Sequence, residues 1–241
     1  MKTKNKWFED KNIKCVILAA GRGSRLLTLT DHNPKPMVSV VEKPILNHVI
    51  NYWRQYTNDF IFVVNYKKEK IIDYVKKFKN IKSQFLIQKE LNGLADALLT
   101  AEKAAGNKFI VVLGDCICKG DFYFPENMSQ GVGVWETENK HDIRNSYIVK
   151  VASDKVHRVK EKPKRVHGNL CGQGFYFFDK RIFGYMRKIT QANPGRQVNL
   201  TDAIQSMIDG KEKISPVVFR GDYININTED ELHRAKSIIS S

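Results

Sequence analysis

The stretch Leu18-Ala19-Ala20-Gly21-Arg22-Gly23-Ser24-Arg25-Leu26 follows directly on the apolar run Cys15-Val16-Ile17. Such a run reads as a buried strand, and the glycines and arginines behind it make an unusual turn. Successive backbone N–H groups in a glycine-rich turn form a concave anion site, and glycine permits close approach of the anion. The other reading is a surface turn whose arginines face water. Two common phosphate loops do not fit. A dinucleotide-binding turn has the spacing G-x-G-x-x-G, and its third glycine falls here on Leu26. The Walker A pattern G-x-x-x-x-G-K-[ST] is absent from the chain.

Downstream of the loop two periodicities alternate. Ile45, Leu46, Val49, Ile50 and Trp53 recur at helical spacing, and a strand follows at 60–64. A helix carrying Ile71, Ile72, Val75 and Phe78 leads to a short strand at 85–87. An alanine-rich helix over 94–105 precedes the strand 109–113, which ends at Gly114-Asp115. With the strand at 13–19, these apolar strands separated by helices predict a parallel sheet with right-handed crossovers. Ligands of such sheets bind beyond the carboxyl ends of the strands. Both the glycine loop and Gly114-Asp115 lie there, facing one crevice. Shorter strands at 131–135, 147–151, 156–159 and 174–178 come next, then helices at 181–189, 200–208 and 229–239. They extend the sheet with a mixed or antiparallel portion. The fold class read from this order is α/β: a Rossmann-like three-layer sandwich with a mostly parallel mixed sheet and a smaller second lobe. No linker or repeat divides the chain, so residues 1–241 are read as one domain with halves at 13–120 and 121–241.

A chain of 241 residues with 42% hydrophobic content can bury one sizeable core. No apolar run reaches the ~20 residues that span a bilayer. The basic amino terminus lacks the apolar core and cleavage site of a signal peptide. Four unevenly spaced cysteines suit reduced thiols in a cytoplasm, and Cys116-x-Cys118 lacks a second ligand pair for a metal. The net charge of +14 raises the question of nucleic acid. The lysines are scattered, however, and no helix-turn-helix or zinc signature appears. Part of the excess charge suits an anionic small substrate.

The loop does fit G-x-G-[ST]-R-[LM], followed nine residues after Leu26 by Lys35-Pro36-Met37. Read through to LAAGRGSRLLTLTDHNPKPMVSVVEKPIL, the segment resembles the nucleotidylyltransferase (pyrophosphorylase) family, which joins nucleoside triphosphates to sugar 1-phosphates. IQKELNGLADAL, VVLGDCI, VKEKPKR, GFYFF, VNLTDAIQSMI and DYININTEDEL follow in the family's order, so the resemblance covers residues 13–240.

The resemblance implies a division of labour. Leu18, Ala19, Ala20, Gly21, Gly23, Ser24 and Arg25 would bind the nucleotide, with Arg25 pairing the β- and γ-phosphates. Gln88 would contact a pyrimidine base, since an amide offers both a donor and an acceptor, and Gly93 and Ala95 would leave room for that base; an ordinary polar strand end, with small residues serving helix–sheet packing, is the alternative. Asp115 would bind Mg²⁺ and the nucleotide, a hard oxygen suiting that ion. Asn225 stands where relatives often carry the second, aspartate, ligand, with Asp222 as its back-up. Lys35 and Lys162 would act with Arg25 in catalysis by neutralising phosphates. Tyr147, Glu161, Lys162 and Gly174 would bind the acceptor in the smaller lobe.

Three departures stand out. Tyr147 occupies a place where sugar-specific members often have glycine, Gln197 or Asn199 replaces an acidic residue, and Thr28 replaces a proline. The implied reaction is Mg²⁺-dependent transfer of a pyrimidine nucleotidyl group from CTP, UTP or dTTP to a phosphorylated small-molecule acceptor. A sugar 1-phosphate is the first reading, and a cytidylyl transfer to inositol phosphate or phosphocholine the alternative. A regulatory nucleotide-binding module without turnover is a third reading, which Asn225 could support. No nucleic-acid partner and no membrane span are expected; a homo-oligomer is compatible with all three.

Overall fold

The computed structural model describes residues 5–10, 12–21, 23, 26, 28–90 and 92–240. Strand β1 (Lys14–Ala19) sends Cys15, Ile17 and Ala19 into one core and Val16 and Leu18 into another. Side chains alternate across a strand, so burial on both faces produces the unbroken apolar run. After it come α1 (Thr28–Asp31), the ribbon β2 (Ser39–Val40) with β3 (Lys43–Pro44), and α2 (Ile45–Trp53). Strand β4 (Asp59–Val64), helix α3 (Lys68–Val75) and strand β5 (Lys82–Ile87) follow. The helix expected over 94–105 is two, α4 (Leu94–Thr100) and α5 (Glu102–Ala105), before β6 (Lys108–Leu113). Strands β1 and β4, β1 and β6, and β4 and β5 all pair in parallel, as the crossover pattern required.

The second half contributes β7 (Cys116–Tyr123), β8 (Gln130–Glu136), α6 (Lys140–Asn145), β9 (Tyr147–Ala152) and β10 (Lys155–Glu161). It continues with β11 (Leu170–Asp179), α7 (Arg181–Ala192), α8 (Leu200–Asp209), β12 (Ile214–Asn225) and α9 (Glu229–Ser240). The sheet runs β5-β4-β1-β6-β11-β8-β12-β7, with β9 beside β11 and β10 beside β9. Beyond β6 the pairing is antiparallel except for β8 with β12. Helices α2, α3 and α9 cover one face and α4, α5, α7 and α8 the other, which makes three layers.

Periodicity missed β7 and β12. Both carry charged residues mid-strand, and Gly120 lies opposite Gly221 in their ladder. A Cβ on Gly120 would sit 2.2 Å from the Arg220 carbonyl oxygen, so the backbones approach too closely for a side chain. Trp7 was missed as well. Its ring meets Phe177 edge-on at 5.6 Å, and its Nε1–H donates to the Ser129 carbonyl at 2.9 Å. One buried tryptophan among lysines leaves no periodic trace. Among the described residues no helix is long and apolar enough to cross a membrane. The four cysteines are buried and unpaired.

Candidate active site

The Gly114 N–H donates to the Leu18 carbonyl at 3.0 Å, pinning the end of β6 to the end of β1. Beyond those ends opens a cavity of about 330 Å³. Leu18, Ala19, Gly21 and Gly23 form one wall, and the two glycines are there for different reasons. Gly23 has φ +75°, and a Cβ on it would lie 2.7 Å from the Lys35 Cβ. Its carbonyl accepts from the Leu26 N–H at 3.0 Å and from Thr30 Oγ1 at 3.1 Å. At Gly21 a Cβ would meet nothing within 4 Å among the described residues. Packing against the described residues does not call for that glycine, and its backbone lines the cavity. Ala20 is buried behind this wall. Ser24 and Arg25, together with Arg22, lie outside the described residues.

Across the cavity stands a polar group. Lys35, only 8% exposed, donates from Nζ to Asp115 Oδ2 at 2.5 Å and to Asn227 Oδ1 at 2.9 Å. Asn225 lines the same cavity, and its Oδ1 is buried without a hydrogen-bond partner among the described residues. A buried carbonyl oxygen left unmatched is costly, so it marks a place for a donor or a cation. With the Asp115 carboxylate on the same cavity, this oxygen suits Mg²⁺, which takes hard oxygens and completes its shell with phosphates and water. Among the described residues no group of three or more His, Cys, Asp and Glu gathers, so the protein alone would supply few ligands. Asp222, the back-up candidate, stands apart from this cavity. It is exposed, pairs opposite Lys119 and lies off the cavity wall, because an odd spacing from Asn225 turns it to the other face of β12. Asn227 was missed, although the alternation in Asn225-x-Asn227 placed both asparagines on one face.

The side of the cavity where the acceptor is expected is built from β9, β10, β11 and α8. Glu161 accepts from Thr201 Oγ1 at 2.9 Å. Burial pushes its carboxyl pKa up, while the Thr201 bond and the Lys162 charge pull it back. Lys162 has φ +38°, uncommon for a residue with a side chain, and its N–H donates to the Ser146 carbonyl at 2.8 Å. Its exposed side chain thereby meets the cavity. The Tyr147 ring turns inward beneath the cavity, its hydroxyl donating to the Gln173 carbonyl at 3.2 Å. Gly172 makes room for it, since a Cβ there would lie 1.9 Å from the ring. Gly172→Ala is therefore expected to cost roughly 1–3 kcal/mol of stability through overpacking, read from urea unfolding. A loss below about 0.5 kcal/mol would mean the ring sits elsewhere.

Other expected residues make close contacts within the frame. Gly174 lines the cavity with its backbone only: its N–H donates to Tyr223 Oη at 3.0 Å, and a Cβ would lie 2.7 Å from Cys116 Sγ. Gln88 is 2% exposed and off the cavity wall. Its Nε2 donates to the Gly93 carbonyl at 3.3 Å and to Asp96 Oδ2 at 2.9 Å, shaping the turn into α4. Gly93, also off the wall, has φ +100° and presses on the Val198 carbonyl, 2.9 Å from where its Cβ would be. Asn199 caps α8 in a capping box with Asp202.

The family model described as nucleotidyl transferase matches residues 14–239, nearly the whole sheet and every wall of the cavity. The chain belongs to this family. The chain is 36% identical over 206 residues to the bifunctional protein GlmU of Methanocaldococcus jannaschii, covering 86% of the chain and 49% of that relative. It thus spans about half the length of the bifunctional relatives it matches. It is 32% identical over 232 residues to the UTP–glucose-1-phosphate uridylyltransferase AglF of Haloferax volcanii, covering 93% of the chain and 95% of AglF. Among solved structures, a UDP-glucose pyrophosphorylase complexed with UDP-glucose superposes with a TM-score of 0.80 at 20% identity, covering 95% and 98% of the two chains. The inositol-1-phosphate CTP transferase from T. maritima does so with a TM-score of 0.80 at 16% identity, covering 95% and 96%. At these identities the likeness to both structures is one of fold.

Proposed function

We propose that this nucleotidyl transferase moves a pyrimidine nucleotidyl group, uridylyl first among them, from a nucleoside triphosphate to a sugar 1-phosphate and releases pyrophosphate. One observation carries the reading: an open glycine wall, the Asp115–Asn225 oxygen pair, Lys35 and Lys162 converge on a single cavity. The choice of UTP and a sugar 1-phosphate is supported by AglF, which the chain matches over almost its whole length. An oxygen of the acceptor phosphate bonds to the α-phosphorus, and the bond from that phosphorus to the α–β bridging oxygen breaks. Pyrophosphate leaves with the electron pair. The attacking oxygen is already anionic, so no general base is needed. When bound, Mg²⁺ would supply neutralisation of the phosphate charge beside Asp115 and Asn225. The chain's own work is positioning and electrostatics. Backbone at Gly21 receives phosphate, Lys162 holds two phosphates together against their repulsion, and Glu161 accepts a hydroxyl of the acceptor. The two halves are taken as one folding unit, working in a reducing cytoplasm that suits four free thiols.

A second reading, cytidylyl transfer to an inositol phosphate, is favoured by the Tyr147 ring in the acceptor wall. Pyrophosphate release measured with UTP, CTP, dTTP and ATP against glucose 1-phosphate, inositol 1-phosphate and phosphocholine separates them. Release with UTP and glucose 1-phosphate is the expected outcome. Turnover confined to CTP with inositol phosphate selects the second reading, and release with no pair leaves a binding module. Gly21→Val tests the glycine wall. Stability should stay within about 0.5 kcal/mol, while UTP affinity by calorimetry falls roughly tenfold or more, about 1.4 kcal/mol. Unchanged affinity would make the loop a surface turn.

A further inference from the structure

Lys35 does more in this arrangement than wait for a phosphate. Its stem packs against the backbone of Gly23, so the side chain rides on the glycine loop. Its head is parked on Asp115 by Asn227, whose Oδ1 accepts from Nζ at 2.9 Å. Asn227 is itself anchored: its N–H donates to Glu231 Oε2 at 2.6 Å, and its Nδ2 donates to the Asn225 carbonyl at 3.3 Å. The two oxygens suited to a divalent cation are thus in opposite conditions. The charged one, on Asp115, is taken by an ammonium, and the neutral one, on Asn225, has no hydrogen-bond partner among the described residues.

From this we infer that Lys35 is the resident counter-ion of the metal site, positioned by Asn227, and that a divalent cation must displace it from Asp115 in order to bind. The inference rests on the metal reading of Asp115 and Asn225. An ammonium and a divalent cation on the same carboxylate repel each other, and burial weakens the screening between them. The cation alone therefore binds weakly. Once displaced, the Lys35 head carries its charge to the neighbouring phosphates of a bound nucleotide, so nucleotide and metal assist each other's binding. Lys35 then serves the two states in turn, balancing Asp115 before the metal arrives and the triphosphate afterwards.

The test is titration of the full, nucleotide-free chain with Mn²⁺, read as free Mn²⁺ by electron paramagnetic resonance. Lys35→Met should bind Mn²⁺ at least about fivefold more tightly than wild type, the scale of one charge-assisted hydrogen bond lost by the competitor. Lys35→Gln should show the same rise, and it serves if the methionine variant does not fold. Asn227→Ala should shift affinity in the same direction by less, because Lys35 loses one of its two anchors. Adding UTP should tighten Mn²⁺ binding more in wild type than in Lys35→Gln. Asn225→Ala reports on the metal site alone and should weaken binding. If it weakens binding while both Lys35 variants bind Mn²⁺ no more tightly than wild type, the counter-ion role is overturned and the metal reading stands. If Asn225→Ala leaves Mn²⁺ binding unchanged, the metal reading falls and this inference with it. A lysine with a purely structural part would shift the thermal midpoint and leave nucleotide-free metal affinity where it was.

Discussion

Asp115→Asn should lower Mg²⁺-dependent pyrophosphate release by roughly 1,000-fold, the scale of several kcal/mol that a bound metal supplies in phosphoryl chemistry. Asp115 follows the apolar strand β6 and shares the cavity with the buried Asn225 Oδ1. Changing it to asparagine leaves two neutral amides, too little charge to hold a divalent cation against water. Alanine is the poorer choice of variant. It would leave the Lys35 ammonium, on a side chain only 10% exposed, with neither charge nor acceptor at that position, and an unsatisfied buried donor costs roughly 1–3 kcal/mol or more. Asparagine keeps an oxygen that accepts from Nζ, so the fold should survive and the loss can be assigned to the metal. The measurement is turnover across a Mg²⁺ series beside a thermal midpoint. Activity within about tenfold of wild type at ordinary Mg²⁺, a difference near 1.4 kcal/mol, would remove Asp115 from the metal site.

Lys162→Met should reduce the catalytic rate roughly 100-fold or more, about 3 kcal/mol, comparable to losing one preorganised charge-stabilising donor. The backbone supports this expectation more firmly than the motif alone. Lys162 is held at φ +38° with its N–H on the Ser146 carbonyl, between Glu161, which also lines the cavity, and the buried Pro163. Methionine preserves the length of the stem and meets the same backbone constraint, so only the charge is removed. An unchanged thermal midpoint with collapsed turnover is the anticipated pair of results. Turnover within about threefold of wild type, well under 1 kcal/mol, would make Lys162 surface charge, and the acceptor site would need to be placed elsewhere.

Much of the fold was legible before the structure because the signals are local. A strand buried on both faces must be apolar at every position, so the cores of β1, β4 and β6 stand out over a few residues. Amphipathic helices such as α2 and α8 show their buried stripe in the same way. Strands β7 and β12 hid because their middle is charged and glycine-bearing, a requirement set by each other's backbone. The glycines show the same limit. From sequence, Gly21, Gly23, Gly93 and Gly174 all look like ligand glycines. In three dimensions Gly93 and Gly174 press against the Val198 carbonyl and Cys116, and of the four only Gly21 has no described residue within 4 Å of where its Cβ would be.

The order of apolar runs and turns in the chain determined that a parallel sheet would form and that the glycine loop and Asp115 would meet at its carboxyl edge. Those outcomes depend on hydrophobic period and on the handedness of crossovers, which a chain carries in neighbouring residues. Which side chains engage one another there was decided by folding. Lys35 reaches Asp115 across 80 residues and Asn227 across 192, and Tyr147 settles over Gly172 on another strand. Gln88, which reads as a base contact, donates from its Nε2 to Gly93 and Asp96. A polar side chain satisfies itself with whatever donor or acceptor the packed chain brings within about 3 Å. That choice depends on segments far apart in sequence, and the packing of the sheet and its two helical layers makes it.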